Sequence, residues 1–298
     1  MTDSTTGSYQ LYKYDPSFAA ALIGASAFGI TTLLHIFQLV KNKTWYFIPF
    51  VIGGLFEVIG YIGRIISSKQ ASGEWTLMPY LIQTLFLLLG PSLLSASIYM
   101  VLGRMIRVMG AESLSPIRVN WLTKIFVVGD VVSFLMQGSG GGMLAKATTT
   151  SATSLGNTII KLGLLIQIVF FAFFMVVSVI FNIRLQRNPT LVSKSGEVPW
   201  TKLLYVLYAA SFLILIRCIF RFLEYVQGQN GYLLEHEVYM YIFDAVLMFF
   251  AMSLFNICHP SSITNVQTYS PFDEESQSIA MHPPSPSPNP YNGRGSGY

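Results

Sequence analysis

Charge is what this sequence has least of. Lys, Arg, Asp and Glu make up 11% of its 298 residues, where soluble domains carry about a quarter. A water-soluble fold of this length needs far more charged surface, so that class is excluded. Cysteine is scarce too: Cys218 and Cys258 are the only two. Both fall in or at the end of an apolar block, so no structural disulfide is expected. Histidine occurs only at 35, 236, 259 and 282, too dispersed to converge on one metal. The net charge of +4 comes with no basic cluster that would suggest nucleic-acid binding. The basic residues sit in short segments between apolar blocks, where they act as topology signals. The glycine run Gly138–Gly142 has no following Lys-Ser/Thr, so it is not a phosphate-binding loop, and ATP-driven chemistry is not expected.

Long apolar runs are what the sequence has in abundance. Seven can be drawn, at Phe18–Val40, Trp45–Ile66, Leu77–Leu102, Trp121–Met143, Ile159–Ile183, Leu203–Val226 and Val238–Cys258. Each reaches the roughly 20 residues that a helix needs to cross a bilayer, and a helix satisfies its own backbone where hydrocarbon cannot. Trp45, Trp75, Trp121 and Trp200 fall at or just beyond span ends, as interfacial anchors do. The expected fold is an all-α, polytopic seven-transmembrane helix bundle.

Residues 1–17 carry no basic region followed by an apolar stretch, so the span from Phe18 is expected to act as an uncleaved signal anchor. Lys and Arg set the orientation. Eleven lie on the side holding the loops near Lys41, Arg104 and Arg184 and the tail, against five on the other. The richer side is cytosolic, which places the N-terminus outside. Three regions follow: a short outer segment 1–17, a membrane domain 18–258 and a cytosolic tail 259–298. The tail is rich in Pro, Ser, Asn and Gly and is expected to be disordered. The sequon Asn42-Lys43-Thr44 falls on the cytosolic side and should be unused. The glycine run and the Thr/Ser run Thr148–Ser154 are expected to form an outer loop after a flexible helix end.

Ionisable residues inside the spans carry the functional signal, because they are expensive in lipid and face a bundle interior or a wet cavity. They are Glu57 and Arg64; Asp130, accompanied by Gln137; Arg217, Arg221 and Glu224; and Asp244. Their spacings (Gly53, Glu57, Gly60, Arg64; Arg217, Arg221, Glu224; Asp130, Gln137) put each set on one helix face. Glu57, Asp130, Asp244 and Gln137 are candidate substrate-binding residues. Arg64, Arg217, Arg221 and Glu224 are candidates for ion pairs around a polar cavity opening to the outer side. The competing reading is that the charges only fix packing, with Arg217 and Arg221 paired to Glu224 and Asp244. Gly53 and Gly60 are read as points of close helix contact.

Several motifs, in this order and on these spans, resemble the fungal RTA-like family, also described as lipid-translocating exporters. They are Glu57-x-x-Gly60-Tyr61-x-x-Arg64, Pro91 followed by Tyr99 and Gly103-Arg104, and Asp130-x6-Gln137-Gly138. Gly163-x3-Gln167, Arg217-x3-Arg221-x2-Glu224-x3-Gly228 and Glu237-x3-Tyr241-x2-Asp244 complete the set. The resemblance covers Tyr14 to His259. It implies a membrane protein that moves or exports amphiphilic lipids, such as sphingoid long-chain bases or related toxic amphiphiles, in the plasma membrane or an endomembrane. On that reading the protein is not an enzyme, needs no cofactor and has membrane lipids or amphiphilic small molecules as partners. A seven-span lipid sensor is the alternative. A rhodopsin-type receptor is disfavoured by the missing outer cysteine pair and the missing Asn-Pro-x-x-Tyr. A retinal protein is disfavoured because Val238–Cys258 has no lysine.

Overall fold

The structure is a computed structural model that describes residues 12, 14–71, 75–146, 149–195, 199–227, 231, 233 and 236–261. The chain divides into a unit at Met1–Asn265, which holds the helices, and a second unit at Val266–Tyr298. Residues 262–298, and with them the tail expected to be disordered apart from His259, Pro260 and Ser261, lie outside the described residues. Within the first unit the helices are α1 (Phe18–Asn42), α2 (Ile48–Ser68, entered through a 3-10 turn at Trp45–Phe47), α3 (Leu77–Val108), α4 (Val119–Lys146) and α5 (Thr150–Arg187). A single turn, α6 (Leu191–Ser195), leads to α7 (Trp200–Gln227), and α8 runs over Glu237–Ile257. Among the described residues there is no strand. Seven of these helices, all but α6, are long and apolar enough to cross a membrane.

Each helix is ordered by the same rule, an apolar outside and a tighter, more polar inside. On α1 the residues Ile23, Ile30, Leu33 and Phe37 are exposed, while Ala21, Gly24, Phe28, Thr32 and His35 are buried. In water that would be an inverted pattern; in a bilayer the exposed leucines and isoleucines meet lipid chains. Ser17 caps α1 by accepting from the Ala20 backbone N–H at 3.4 Å, and Lys43 closes it in the left-handed region at φ 52°. Consecutive spans pack side by side, α8 returns to α1, and α3 meets α7 across the ring. His35 lies two turns inside the C-terminal end of α1. It is fully buried and its Nε2 shares a hydrogen bond of 3.0 Å with the Met252 carbonyl.

The outer loop expected between the fourth and fifth spans needs correction. Helix α4 continues through the whole glycine run to Lys146, and α5 begins at Thr150, so the Thr/Ser run is helical from Thr150 on, while Thr148 lies outside the described residues. The reason lies in packing. A Cβ on Gly140 would sit 2.7 Å from the Gly156 carbonyl oxygen, and one on Gly156 would sit 3.0 Å from the Gly140 carbonyl oxygen. The glycines therefore extend the α4–α5 contact by a close backbone approach, as small residues do in membrane bundles. Thr149 supplies the N-cap of α5.

Candidate functional site

The inward face of α2 is where the charged interior begins. Glycine lets α2 and α3 touch: a Cβ on Gly53 would lie 2.8 Å from the Gly90 carbonyl oxygen, and one on Gly60 would lie 2.6 Å from the Leu87 side chain. This closeness presses Glu57 against α3. A Cβ on Gly90 would be 2.9 Å from Glu57 Oε1, so Gly90 leaves the room that this oxygen occupies. Glu57 is 2% exposed, and its Oε1 has no hydrogen-bond partner among the described residues.

Two turns along, Arg64 is the hub of a cluster at the N-terminal end of the bundle. Its Nη2 donates to Glu237 Oε1 at 2.6 Å and to the Tyr14 hydroxyl at 2.9 Å, and its Nε donates to the Tyr241 hydroxyl at 2.9 Å. Glu237 also accepts from the Ser17 backbone N–H at 2.9 Å. Tyr12 extends the strap, donating to Gln83 at 2.7 Å and packing edge-on against Trp75 and Tyr80. Burial holds the Tyr14 hydroxyl above its ordinary pKa against the pull of Arg64. It therefore keeps its proton while accepting from the guanidinium. Tyr12 and Tyr14–Ser17 thus lie over the ends of α2, α3 and α8.

A second cluster joins α3, α7 and α8. Pro91 has no N–H, so the carbonyl of Leu87, four residues earlier, has no helical partner. Arg217 takes it: its Nη2 donates to the Leu87 carbonyl and its Nε to Asp244 Oδ1. Arg221 donates to Asp244 Oδ2 at 2.6 Å and to Glu224 at 2.9 Å. Asp244 sits in a π-helical turn at Tyr241–Val246, a local widening common where a helix serves a site. Both oxygens of Asp244 are engaged, each by a different arginine.

Asp130 stands apart from both clusters. It is 4% exposed and accepts one hydrogen bond, from the Tyr99 hydroxyl to Oδ2 at 3.0 Å. Its Oδ1 has no partner among the described residues. Gln137, two turns along the same face, belongs to a polar ladder between α4, α5 and α3. It donates to Ser133 at 2.7 Å and to Gln167 at 3.1 Å, and Gln167 donates to Ser92 at 3.3 Å. Ser133 in turn donates to the Gly163 carbonyl at 2.6 Å.

The residues singled out from the sequence therefore separate into groups. Arg217, Arg221, Glu224 and Asp244 meet in one cluster, and Arg64 is in another. Gln137 is committed to helix packing, while Glu57 and Asp130 have oxygens without a partner. Arg64 and Arg217 are enclosed by the surrounding helices, at 0% and 2% exposed. Sequence reasoning missed Glu237, Tyr14 and Tyr241 as the partners of Arg64. Glu237 lies one residue before the span drawn from Val238, outside a search for charges within spans, and a tyrosine hydroxyl carries no charge to betray it. Among the described residues no group of three or more His, Cys, Asp or Glu could hold a metal. Burial lowers the His259 pKa to about 4, which leaves its ring neutral.

No solved structure matches the chain. It is 36% identical over 290 residues to protoporphyrin uptake protein 1 of Saccharomyces cerevisiae, an alignment covering 85% of this chain and 93% of that one. It is 37% identical over 278 residues to protein RTA1 of the same yeast, covering 85% of each. It is 29% identical over 265 residues to the sphingoid long-chain base transporter RSB1, again from that yeast, covering 78% of this chain and 68% of that one. The model of the family described as RTA1 like protein matches residues 50–267, the stretch that holds the charged interior and the motifs that build it. This integral membrane protein belongs to the RTA1-like family.

Proposed function

We propose that the protein moves or exports amphiphilic lipids with a cationic head, without ATP, and that Glu57 and Asp130 meet the head on its way. The observation that carries this reading is a charge imbalance. Three arginines, the buried Arg64 and Arg217 and the half-buried Arg221, pair with Glu237, Asp244 and Glu224. Glu57 and Asp130 are left over, both buried and neither bonded to a cation among the described residues. A buried carboxylate without a cation takes up a proton or a positively charged partner. An ammonium head supplies the second, and the exchange of one for the other supplies a means of coupling. Asp244 and Gln137 serve on this reading as supports, since their polar atoms are engaged elsewhere.

The relatives named for protoporphyrin uptake and for sphingoid long-chain base transport suit the reading in one respect. Both cargoes are largely apolar molecules with ionisable groups. The surplus of acids favours the cationic kind for this chain. The basic loops favour an N-terminus outside and a tail in the cytosol, in the plasma membrane or an endomembrane.

The test is translocation of a fluorescent sphingoid base by purified protein in proteoliposomes, beside a Glu57→Gln plus Asp130→Asn variant. Movement by the wild type and none by the folded variant is the expected result. If the wild type, shown to be folded, moves no lipid, the transport reading fails and a lipid sensor becomes the better account.

A further inference from the structure

We propose that a crevice between α3, α4, α5 and α7 binds the hydrocarbon chain of a single-chain amphiphile. The proposal rests on the transport reading above for its cargo, but its evidence is separate. The crevice has a volume of about 130 Å³ and runs along α3 from Leu77 to Leu88, with Gln137 of α4 and Tyr225 of α7 on its other sides. The eleven rises from Leu77 to Leu88 make it about 16 Å long, beginning at the end of the bundle where Tyr12 and Arg64 lie. Among the described residues no charged side chain lines it, so it suits a chain and not a head group. A cavity of this size holds an object of about the bulk of benzene, which is to say a stretch of several methylenes.

The glycine run explains why the space exists. Gly138, Gly141 and Gly142 line the crevice, and a Cβ at any of the three would meet nothing within 4 Å. Gly140, in the same run, differs: its Cβ would strike Gly156 and Ile160. Close helix packing therefore accounts for Gly140 but not for the other three. Glycine is a poor helix residue, and three without a packing reason keep one wall of the crevice low. The occupant follows from the surroundings. The crevice lies between membrane spans, where the solvent is hydrocarbon, and Leu77, Gly142 and Tyr225 are not fully buried, so a lipid chain can enter from the side.

Position ties the crevice to the surplus acids. Asp130, Gln137, Gly141 and Leu144 recur on one stripe of α4, at i, i+7, i+11 and i+14. Asp130 lies two turns below Gln137, about 10 Å along the axis. Gln137, locked to Ser133 and Gln167, forms the floor between crevice and acid. A chain seated in the crevice therefore holds an amphiphile alongside the residues proposed to receive its head.

The experiment is photolabelling of the full-length protein in lipid nanodiscs, using a long-chain alkylamine with a diazirine near the end of its chain. Labelled positions are mapped by mass spectrometry. Label is expected in Leu77–Leu88 and 137–142, competed by unlabelled long-chain amine but not by butylamine. It should fall at least tenfold in a Gly138→Leu plus Gly141→Leu variant. If that variant fails to run as a monodisperse species, Gly141→Val takes its place. Label spread evenly over lipid-facing residues such as Ile30 and Phe37, or label that unlabelled amine does not displace, means ordinary bilayer contact only and overturns the proposal. Labelling of the crevice in a protein that moves no lipid would sink the transport reading and leave the crevice standing. Transport with labelling unchanged in the leucine variant would do the reverse.

Discussion

Replacing Asp244 with leucine removes the carboxylate that both Arg217 and Arg221 bond. Arg221 keeps Glu224; among its hydrogen bonds to the described residues Arg217 keeps the one to the Leu87 carbonyl. Stripping a buried ion of its partner costs about 3–5 kcal/mol, and Asp244→Leu belongs at the upper end because Arg217 loses its ion-pair partner. Arg217→Met is milder, about 3 kcal/mol, because Asp244 still has Arg221 to neutralise it. The double variant leaves neither charge unpaired. Only the Leu87 carbonyl loses its partner, at about 1–3 kcal/mol for an unsatisfied buried group. The singles therefore sum to about 8 kcal/mol and the double falls near 2. The assay is thermal unfolding of monodisperse, detergent-purified protein, read as a double-mutant cycle. At roughly 2–4 °C per kcal/mol, Asp244→Leu should lower the midpoint by about 10–20 °C and the double variant by less than either single. A double variant as unstable as the sum of the singles refutes the coupled cluster. So does an Asp244→Leu protein within about 2 °C of wild type.

Two neighbouring glycines should respond oppositely to alanine. Gly140→Ala, with a Cβ 2.7 Å from the Gly156 carbonyl oxygen, should lower the unfolding midpoint by several degrees, whereas Gly141→Ala should raise it slightly, since alanine in an open helical position gains about 0.5–1 kcal/mol. Tyr14→Phe removes an acceptor from buried Arg64, at about 1–3 kcal/mol; faster proteolysis of the segment before Phe18, with the bundle intact, is the expected readout. Tyr99→Phe leaves Asp130 without its one hydrogen bond, and lipid movement in proteoliposomes should shift its pH dependence while the folded fraction stays unchanged. If protons are exchanged for the cargo head, uptake rates should differ with and without an imposed pH gradient; equal rates would remove the coupling idea.

Much of the architecture was legible because a bilayer imposes its own grammar. A span must be apolar and about 20 residues long, and each of the seven drawn from the sequence falls on a separate helix, the last overrunning its end by Cys258 alone. The pairing of Arg217 and Arg221 with Glu224 and Asp244 was also legible, because a helical stripe of charge in lipid must face something of opposite sign. Composition could not give the extent of α4 and α5. A run of glycine, then of threonine and serine, reads as a loop by local propensity, and only the meeting of Gly140 with Gly156 makes it helical. The Arg64 cluster was out of reach for another reason: Tyr14 precedes the first span and Glu237 precedes the last, so their partnership is a product of the ring closing. The link from Pro91 to Arg217 joins residues that no periodicity relates.

That last link has a consequence for how the protein is made. Leu87 leaves the ribosome long before Arg217, and the two are 130 residues apart in the chain. At 5–20 residues per second, α3 waits roughly 10 s for its partner. During that wait the membrane holds a helix with an unsatisfied carbonyl, and then a second helix with an arginine that is costly to insert alone. Each helix is apolar enough to span a membrane, but each carries a polar group that the other satisfies. Assembly is therefore selective by construction: a half-made chain carries its own exposed polar defect until α7 arrives to cover it, a mark by which quality control can tell unfinished molecules from finished ones.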